Sequence, residues 1–214
     1  MMKNVLFKVT AISALLFSAG SLAAGPSAEI KLTGDLIAPK CAINTPDMVF
    51  DYGDKISPTL ISNTAPVSLG KVASVSLTVN CDAQTSLTFG VTDNRLGTAS
   101  MSGSKYFGLG NINGTGKLGH YLISVSRPVV DQRAAATFVS SGNTIPQLLY
   151  VAELEHGKRS GWAKQGERAL AIGKTFGLDV STEAFLAKRG DMHGGVGDDT
   201  ALDGSATLEF GFGL

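Results

Sequence analysis

The chain has 214 residues with 18 basic and 18 acidic side chains, so its formal net charge is zero. The basic residues are scattered, which argues against nucleic-acid binding, because that function needs clustered Lys and Arg to displace counterions from phosphates. With 26 glycines and frequent Ser and Thr, the composition favours many short strands joined by turns over long helices.

The first 23 residues predict a secretory signal peptide. Lys3 precedes an apolar run, and the small residues Ser21 and Ala23 suit cleavage after Ala23. The run is too short and interrupted to span a bilayer, which needs roughly 20 apolar residues, and no later stretch is apolar enough. Removing 23 of the 214 residues, including Lys3 and Lys8, leaves 191 residues with 16 basic and 18 acidic side chains. We expect residues 24–214 to form one exported domain.

The first predicted strand covers residues 29–36, where Ile30 and Leu32 begin an alternating apolar face. Cys41 follows this segment, and Cys81 ends a second alternating segment at 75–81. We expect Cys81 to point into the core, so that a disulfide with Cys41 would join two sheets.

That disulfide is the simplest use of the two cysteines in an oxidising compartment. A metal pair or a reactive thiol is the competing interpretation, but neither Cys41 nor Cys81 has a His or a second Cys near it in the sequence. The chain-entropy model gives a loop of this length about 4 kcal/mol of stabilisation. We expect the bond to be decisive for stability.

The remaining elements follow the same period of two. A turn is predicted at 82–85 and loops at 94–104, and Asn113-Gly114 is a strong turn signal. Further strands are predicted at 86–93, 118–130, 134–139, 148–152, 169–176, 182–187 and 204–212. For residues 163–172 a short helix is an alternative prediction to a strand and its preceding loop, because they contain good helix formers. The pattern predicts one all-β domain of eight to ten strands, a two-sheet Greek-key sandwich.

The histidines do not predict catalysis. His120 is expected at the surface beside a strand, and His156 in a turn. No nucleophile elbow or Ser–His–carboxylate pattern is present. We therefore expect no enzyme and no cofactor.

Two further features have a functional and a structural interpretation. Residues 191–199, within an irregular region at 188–200, contain carboxylates and glycines that resemble a calcium loop. The EF-hand spacing is missing, so a flexible solvated loop is favoured and no metal is expected. Trp162 is either a packing residue or, with Tyr150, Arg159 and Arg168, part of an aromatic–basic surface; packing is favoured.

Three blocks of the chain resemble chaperone–usher pilin subunits. Residues 34–41 are similar to their opening strand, 76–81 to their second cysteine strand, and 203–212 to their closing strand. A narrower likeness connects most of the mature chain to a family of fimbrial-like exported bacterial proteins of unknown function. The blocks that carry this second likeness are 72–95, 107–110, 117–121 and 202–209.

The resemblance implies an immunoglobulin-like, pilin-type sandwich that lacks its last strand and so has an apolar groove. It implies that Leu208, Phe210, Phe212 and Leu214 form the groove wall that a periplasmic chaperone grips. A strand from another pilus subunit would then replace the chaperone, with an usher as a further partner. The location that the resemblance implies is the periplasm, with the cell surface or a fimbrium as a further destination.

The N-terminal region departs from the pilin pattern, since only residues 24–28 precede the predicted first strand where polymerising pilins carry a longer donor segment. Three alternatives stay open. The subunit accepts a strand without donating one, or 29–36 is itself the donor, or the sandwich is self-complete. The last alternative gives the second functional hypothesis, a secreted binding module that recognises a glycan or surface ligand.

Overall fold

The computed structural model describes residues 28–35, 37–53, 55–197 and 200–214. The predicted signal peptide therefore lies outside the described residues. The chain divides into a unit that ends at Ile37 and a body, Ala38–Leu214. No helix in the described part of the chain has the length and apolar character needed to cross a membrane.

The body is all-β, as the alternation of apolar residues predicts. Its described residues hold more strands than the eight to ten expected, because four of these strands are only two residues long. The strands are β1 Cys41–Asn44, β2 Val67–Lys71, β3 Val75–Thr85, β4 Leu87–Asp93, β5 Phe107–Gly108, β6 Asn111–Ile112, β7 Gly116–Lys117, β8 Gly119–Val130, β9 Arg133–Ala134, β10 Ala136–Ser140, β11 Val151–Glu153, β12 Arg159–Ala163, β13 Gly173–Leu186 and β14 Ala206–Phe212. Two short 3-10 turns cover Pro58–Leu60 and Arg189–Met192.

The strands form two main antiparallel sheets. The first has the order β1-β3-β13-β8-β11, with β2, β5 and β9 attached, and the second has the order β10-β12-β4-β14. An immunoglobulin sandwich places strands A, B, E and D in one sheet and C, F and G in the other. Taken in chain order, β1, β3, β4, β8, β13 and β14 occupy positions A to F, which confirms the predicted immunoglobulin-like fold.

The main core lies between the two sheets. The inward residues of β3 and β13, such as Leu77 and Leu178, are buried against Phe89 of β4. Trp162 is fully buried among them, and its indole Nε1 donates a hydrogen bond to the Gly177 carbonyl at 2.8 Å. Its predicted role in packing is confirmed.

The predicted disulfide between Cys41 and Cys81 is confirmed, but the expectation that it joins two sheets is wrong. The two cysteines are directly opposite one another on β1 and β3, which are antiparallel neighbours in one sheet. The pairing continues past the bond, since the Lys40 N–H donates to Asp82 Oδ1 at 2.9 Å. The disulfide therefore fastens an edge strand to its own sheet.

The prediction of a first strand at 29–36 is wrong. Residues 28–35 are not in a strand, and Ile30 and Leu32 are 85% and 91% exposed. Leu36 lies outside the described residues. Alternation alone does not make a strand without a hydrogen-bonding partner, and the first ladder in the body begins only at Cys41.

Two predicted boundaries also differ from the structure. The turn expected at 82–85 belongs to β3, whose end at Thr85 pairs with Gly173. Residues 164–172 form turns and a bridge, so the alternative helix at 163–172 is wrong. The strands expected at 169–176 and 182–187 are one strand, β13, because it is paired on both sides by β3 and β8.

Candidate functional site

β14 lies at the edge of the second sheet. It pairs antiparallel with β4 along its whole length, from Ala206 opposite Asp93 to Phe212 opposite Leu87. Among the residues that the structure describes, no strand pairs with the other edge of β14. Such an edge presents backbone N–H and C=O groups to which another strand can add.

A cavity of about 1150 Å³ lies beside the first half of β14. Leu208 of β14 and Val180 of β13 lie on opposite sides of it, so the space lies between the two sheets. Its other apolar lining residues include Leu109, Leu118, Tyr121, Ile123 and Leu186. Burial raises the pKa of the Tyr121 phenol, which keeps this side chain neutral.

An irregular stretch of chain, residues 48–53 and 55–57, lines the cavity from outside the strands; we call it the covering segment. Phe50 and Tyr52 are half-buried against the main core, whereas Val49 is 74% exposed. The Tyr52 hydroxyl lies 2.9 Å from the Thr182 hydroxyl on β13. Burial raises the pKa of the Tyr52 phenol, so it is neutral at physiological pH. The segment rests on the core through side chains and forms no strand.

The four predicted groove residues do not share one environment. Leu208 lines the cavity. Phe210 packs on the main core, with its ring centroid 5.6 Å from that of Phe89. Phe212 is 49% exposed, and Leu214 packs against a separate cluster on the outer face of the second sheet.

A backbone turn separates the last of these residues from the cavity. Gly213 has a φ of +74°, a conformation that L side chains rarely adopt. Its carbonyl accepts a hydrogen bond from the buried Thr88 hydroxyl at 2.6 Å. The end of the chain therefore turns towards the outer face of the sheet, and only Leu208 of the predicted four lines the cavity.

The start of β14 is fixed by contacts that the sequence did not reveal. The Arg95 guanidinium makes a bidentate pair with Asp203, at 2.7 Å from Nε and 2.6 Å from Nη2. This pair lowers the pKa of the Asp203 carboxyl. The Asn94 side-chain amide adds hydrogen bonds to the hydroxyls of Ser205 and Thr207. The partners are more than 100 residues apart in sequence, so no local pattern indicates them.

His120 is buried, and the prediction that it is a surface residue is wrong. Its ring stacks on Phe185 with centroids 4.9 Å apart, and Tyr106 packs edge-on against it at 5.0 Å. Its Nδ1 lies 2.9 Å from the Ser100 hydroxyl. Burial lowers its pKa to about 4. These contacts give His120 a packing role on the outer face of the first sheet.

His156 lies in a turn, as predicted. Its Nδ1 accepts a hydrogen bond from the Asp93 N–H at 3.0 Å. The Asp93 carboxylate in turn accepts the N–H groups of Arg95 and Gly108. This histidine therefore holds the end of β4 in place.

The irregular region at 188–200 is attached to the β6–β7 hairpin. Asn113 and Gly114 have positive φ angles, as in the turn their sequence predicts. The Asn113 amide donates to the carbonyls of Met192 and Gly195 at 2.9 and 3.0 Å. Within the described residues, no group of three or more His, Cys, Asp and Glu is placed to hold a metal ion. Of the predicted cluster, Asp198 and Asp199 lie outside those residues.

No family model matches the chain, and no curated protein matches it.

Proposed function

We propose that this chain is a fimbrial-like subunit, exported to the periplasm, whose sandwich is completed by a strand from another protein. The observation that carries the proposal is the open edge of β14 beside an apolar cavity. In an immunoglobulin sandwich, strand G pairs with strand F, and β14 occupies position F. A strand added there would bond to β14 and bury its inward side chains in the cavity.

The proposal requires a periplasmic chaperone as the first partner. An unpaired edge beside apolar side chains such as Leu208 and Val180 promotes aggregation until it is covered. A chaperone strand would cover it during export, and an usher and further pilus subunits would then exchange that strand for a permanent one.

Residues 29–36, which we call the arm, are the proposed donor to a neighbouring subunit. This assignment is favoured over the other two alternatives because Ile30 and Leu32 are exposed and the first strand starts only at Cys41. An alternating segment with exposed apolar side chains at Ile30 and Leu32 suits insertion between β14 and the covering segment of a second copy.

The test is periplasmic expression of the full chain with and without a co-expressed periplasmic chaperone of the chaperone–usher type. We expect recovery as a one-to-one complex with the chaperone, and aggregation or proteolysis without it. Cooperative folding as a soluble monomer, with no chaperone complex under any condition, would contradict the proposal.

The donor role of the arm has a separate test. Replacing both Ile30 and Leu32 with Ser should abolish oligomers that survive mild SDS treatment, while the chaperone complex persists because the chaperone contacts the edge of β14. The matched control changes Lys31 and Thr33, on the opposite face of the arm, to Ser and should leave the oligomers intact. Equal loss in both double variants would contradict the donor assignment.

One observation favours the second candidate, a self-complete module that binds a glycan or surface ligand. The covering segment already places Phe50 and Tyr52 on the core beside β14, so part of the space that a donor would need is filled. A self-complete domain would unfold reversibly in urea as a monomer and bind ligands on a glycan array. A blank array at high protein concentration would exclude this candidate.

A further inference from the structure

A second concavity, of about 510 Å³, lies at one end of the sandwich. It is formed where β3 ends, where the chain turns from β8 into β9, and where β12 connects to β13. It shares no lining residue with the cavity beside β14. Whatever binds here would therefore leave the edge of β14 free. We call it the end concavity.

The lining of the end concavity combines an apolar floor with a polar rim. Val130, Ala135 and Ala171 are buried, and Ile172 beside them is 62% exposed. The polar rim is formed by Gln84, Asp131, Arg133, Lys164 and Gln165. A volume within the usual range of small-ligand sites, with apolar walls and a few polar groups, is the common composition of a binding pocket.

The turns around the end concavity are fixed in place. Asp131 Oδ1 accepts the N–H groups of Lys174 and Thr175 at 3.0 and 2.8 Å, which ties the β8–β9 turn to the start of β13. On the other side, the Lys164 N–H donates to the Ala169 carbonyl at 2.9 Å and closes the β12–β13 connection. These hydrogen bonds hold the backbone of the rim in place before a ligand binds, so side chains such as Arg133 account for most of the conformational entropy lost on binding.

The polar rim carries two cationic side chains, Arg133 and Lys164, and one carboxylate, Asp131. Oδ1 of that carboxylate is already engaged by two backbone donors, which lower its pKa. Lys164 has only a 3.4 Å surface contact with Glu167, which is a weak interaction. Within the described residues, Arg133 makes no ion pair or side-chain hydrogen bond, nor do the amides of Gln84 and Gln165.

These groups define the chemistry of a ligand. A guanidinium binds a carboxylate through two parallel hydrogen bonds. Two glutamine amides can both donate to and accept from hydroxyl groups, and the apolar floor suits the C–H face of a sugar ring. We infer that the end concavity binds a carboxylate-bearing saccharide, with Arg133 on the carboxylate and Gln84 and Gln165 on the hydroxyls.

This inference adds a ligand-binding role to the proposed subunit and does not require β14 to accept a strand. The test is calorimetric titration of the full chain, as recovered from the periplasm, with 3′-sialyllactose and with digalacturonic acid. Lactose serves as the neutral control and acetate as the anion control. We expect a Kd of about 1 mM or below for at least one acidic saccharide, and at least about tenfold weaker binding of lactose and acetate.

Two variants locate the site. Arg133→Gln should weaken binding of the acidic saccharide by about tenfold or more, because a charge-assisted bidentate contact is lost. Arg168→Gln is the matched control, since Arg168 is exposed in the β12–β13 connection but does not line the end concavity; it should change the Kd by less than about twofold. No binding of either acidic saccharide, equal binding of lactose, or an unchanged Kd in Arg133→Gln would each overturn the inference.

Discussion

The hydroxyl groups of Tyr52 and Thr182 lie 2.9 Å apart and fasten the covering segment to β13. In the described residues this segment forms no strand of its own. Because its backbone forms no ladder, its position depends on this bond and on the packing of Phe50, Tyr52 and Ile56. The bond therefore influences how readily the space beside β14 opens.

Tyr52→Phe should loosen the covering segment without unfolding the sandwich. The net value of one such hydrogen bond is about 1 kcal/mol, so amide exchange in residues 48–57 should accelerate about fivefold. Hydrogen exchange followed by mass spectrometry measures this rate. Tyr150→Phe is the control, since Tyr150 is 57% exposed and distant in sequence from the segment. Unchanged exchange in Tyr52→Phe would show that packing alone holds the segment.

Loss of the disulfide should destabilise the body strongly. The bond closes a loop with a sequence separation of 40, which corresponds to about 4 kcal/mol in the chain-entropy model. We expect the double variant Cys41→Ala, Cys81→Ala to lower the free energy of unfolding in urea by about this amount. Exchange should rise most in β1, a four-residue edge strand. Wild-type protein treated with a reductant should match the variant, and an unchanged urea midpoint would refute this expectation.

His120 should make the protein less stable in acid. Its folded-state pKa is about 4, against an ordinary value of 6.5. Between these values the unfolded chain binds a proton that the folded chain does not, so the free energy of unfolding falls as pH decreases from 6.5 to 4. We expect a loss of about 2 kcal/mol from this residue. Urea unfolding at pH 7 and pH 4.5 measures it.

Two variants isolate the contribution of His120 from that of the carboxylates. His120→Phe keeps a ring between Tyr106 and Phe185 and should show a smaller loss of stability between the two pH values. His193→Asn removes an exposed histidine and should behave as wild type. If the wild type and His120→Phe lose stability equally, His120 does not titrate as its burial indicates.

Trp162→Phe should destabilise the core. The change leaves the buried Gly177 carbonyl without its indole donor and removes ring contacts with Phe89 and Phe176. Together these losses should cost about 3 kcal/mol. Circular dichroism in urea measures the change. Phe212→Leu, at a 49% exposed position, should stay within about 0.5 kcal/mol of wild type, and a similar result for Trp162→Phe would contradict its packing role.

Local periodicity was sufficient for much of the fold. The alternation in 75–81, 86–93 and 118–130 corresponds to β3, β4 and β8, because inward and outward faces of a half-buried strand repeat every two residues. The disulfide could also be predicted from the sequence, because the chain contains two cysteines and each therefore has one possible partner within it.

Which strands pair, and which outward-facing residues are buried, could not be predicted from local sequence, because both depend on contacts between distant parts of the chain. The arm at 29–36 alternates as well as β3 does, yet its described residues, 29–35, form no ladder, because hydrogen-bonding partners come from other parts of the sequence. Alternation placed His120 outward correctly, but Phe185 and Tyr106 cover that face. Leu208 and Leu214 belong to the same apolar alternation, and only the turn at Gly213 separates their environments. Short-range sequence patterns thus determine the type of secondary-structure element. Long-range strand pairing determines which residues contact each face of that element.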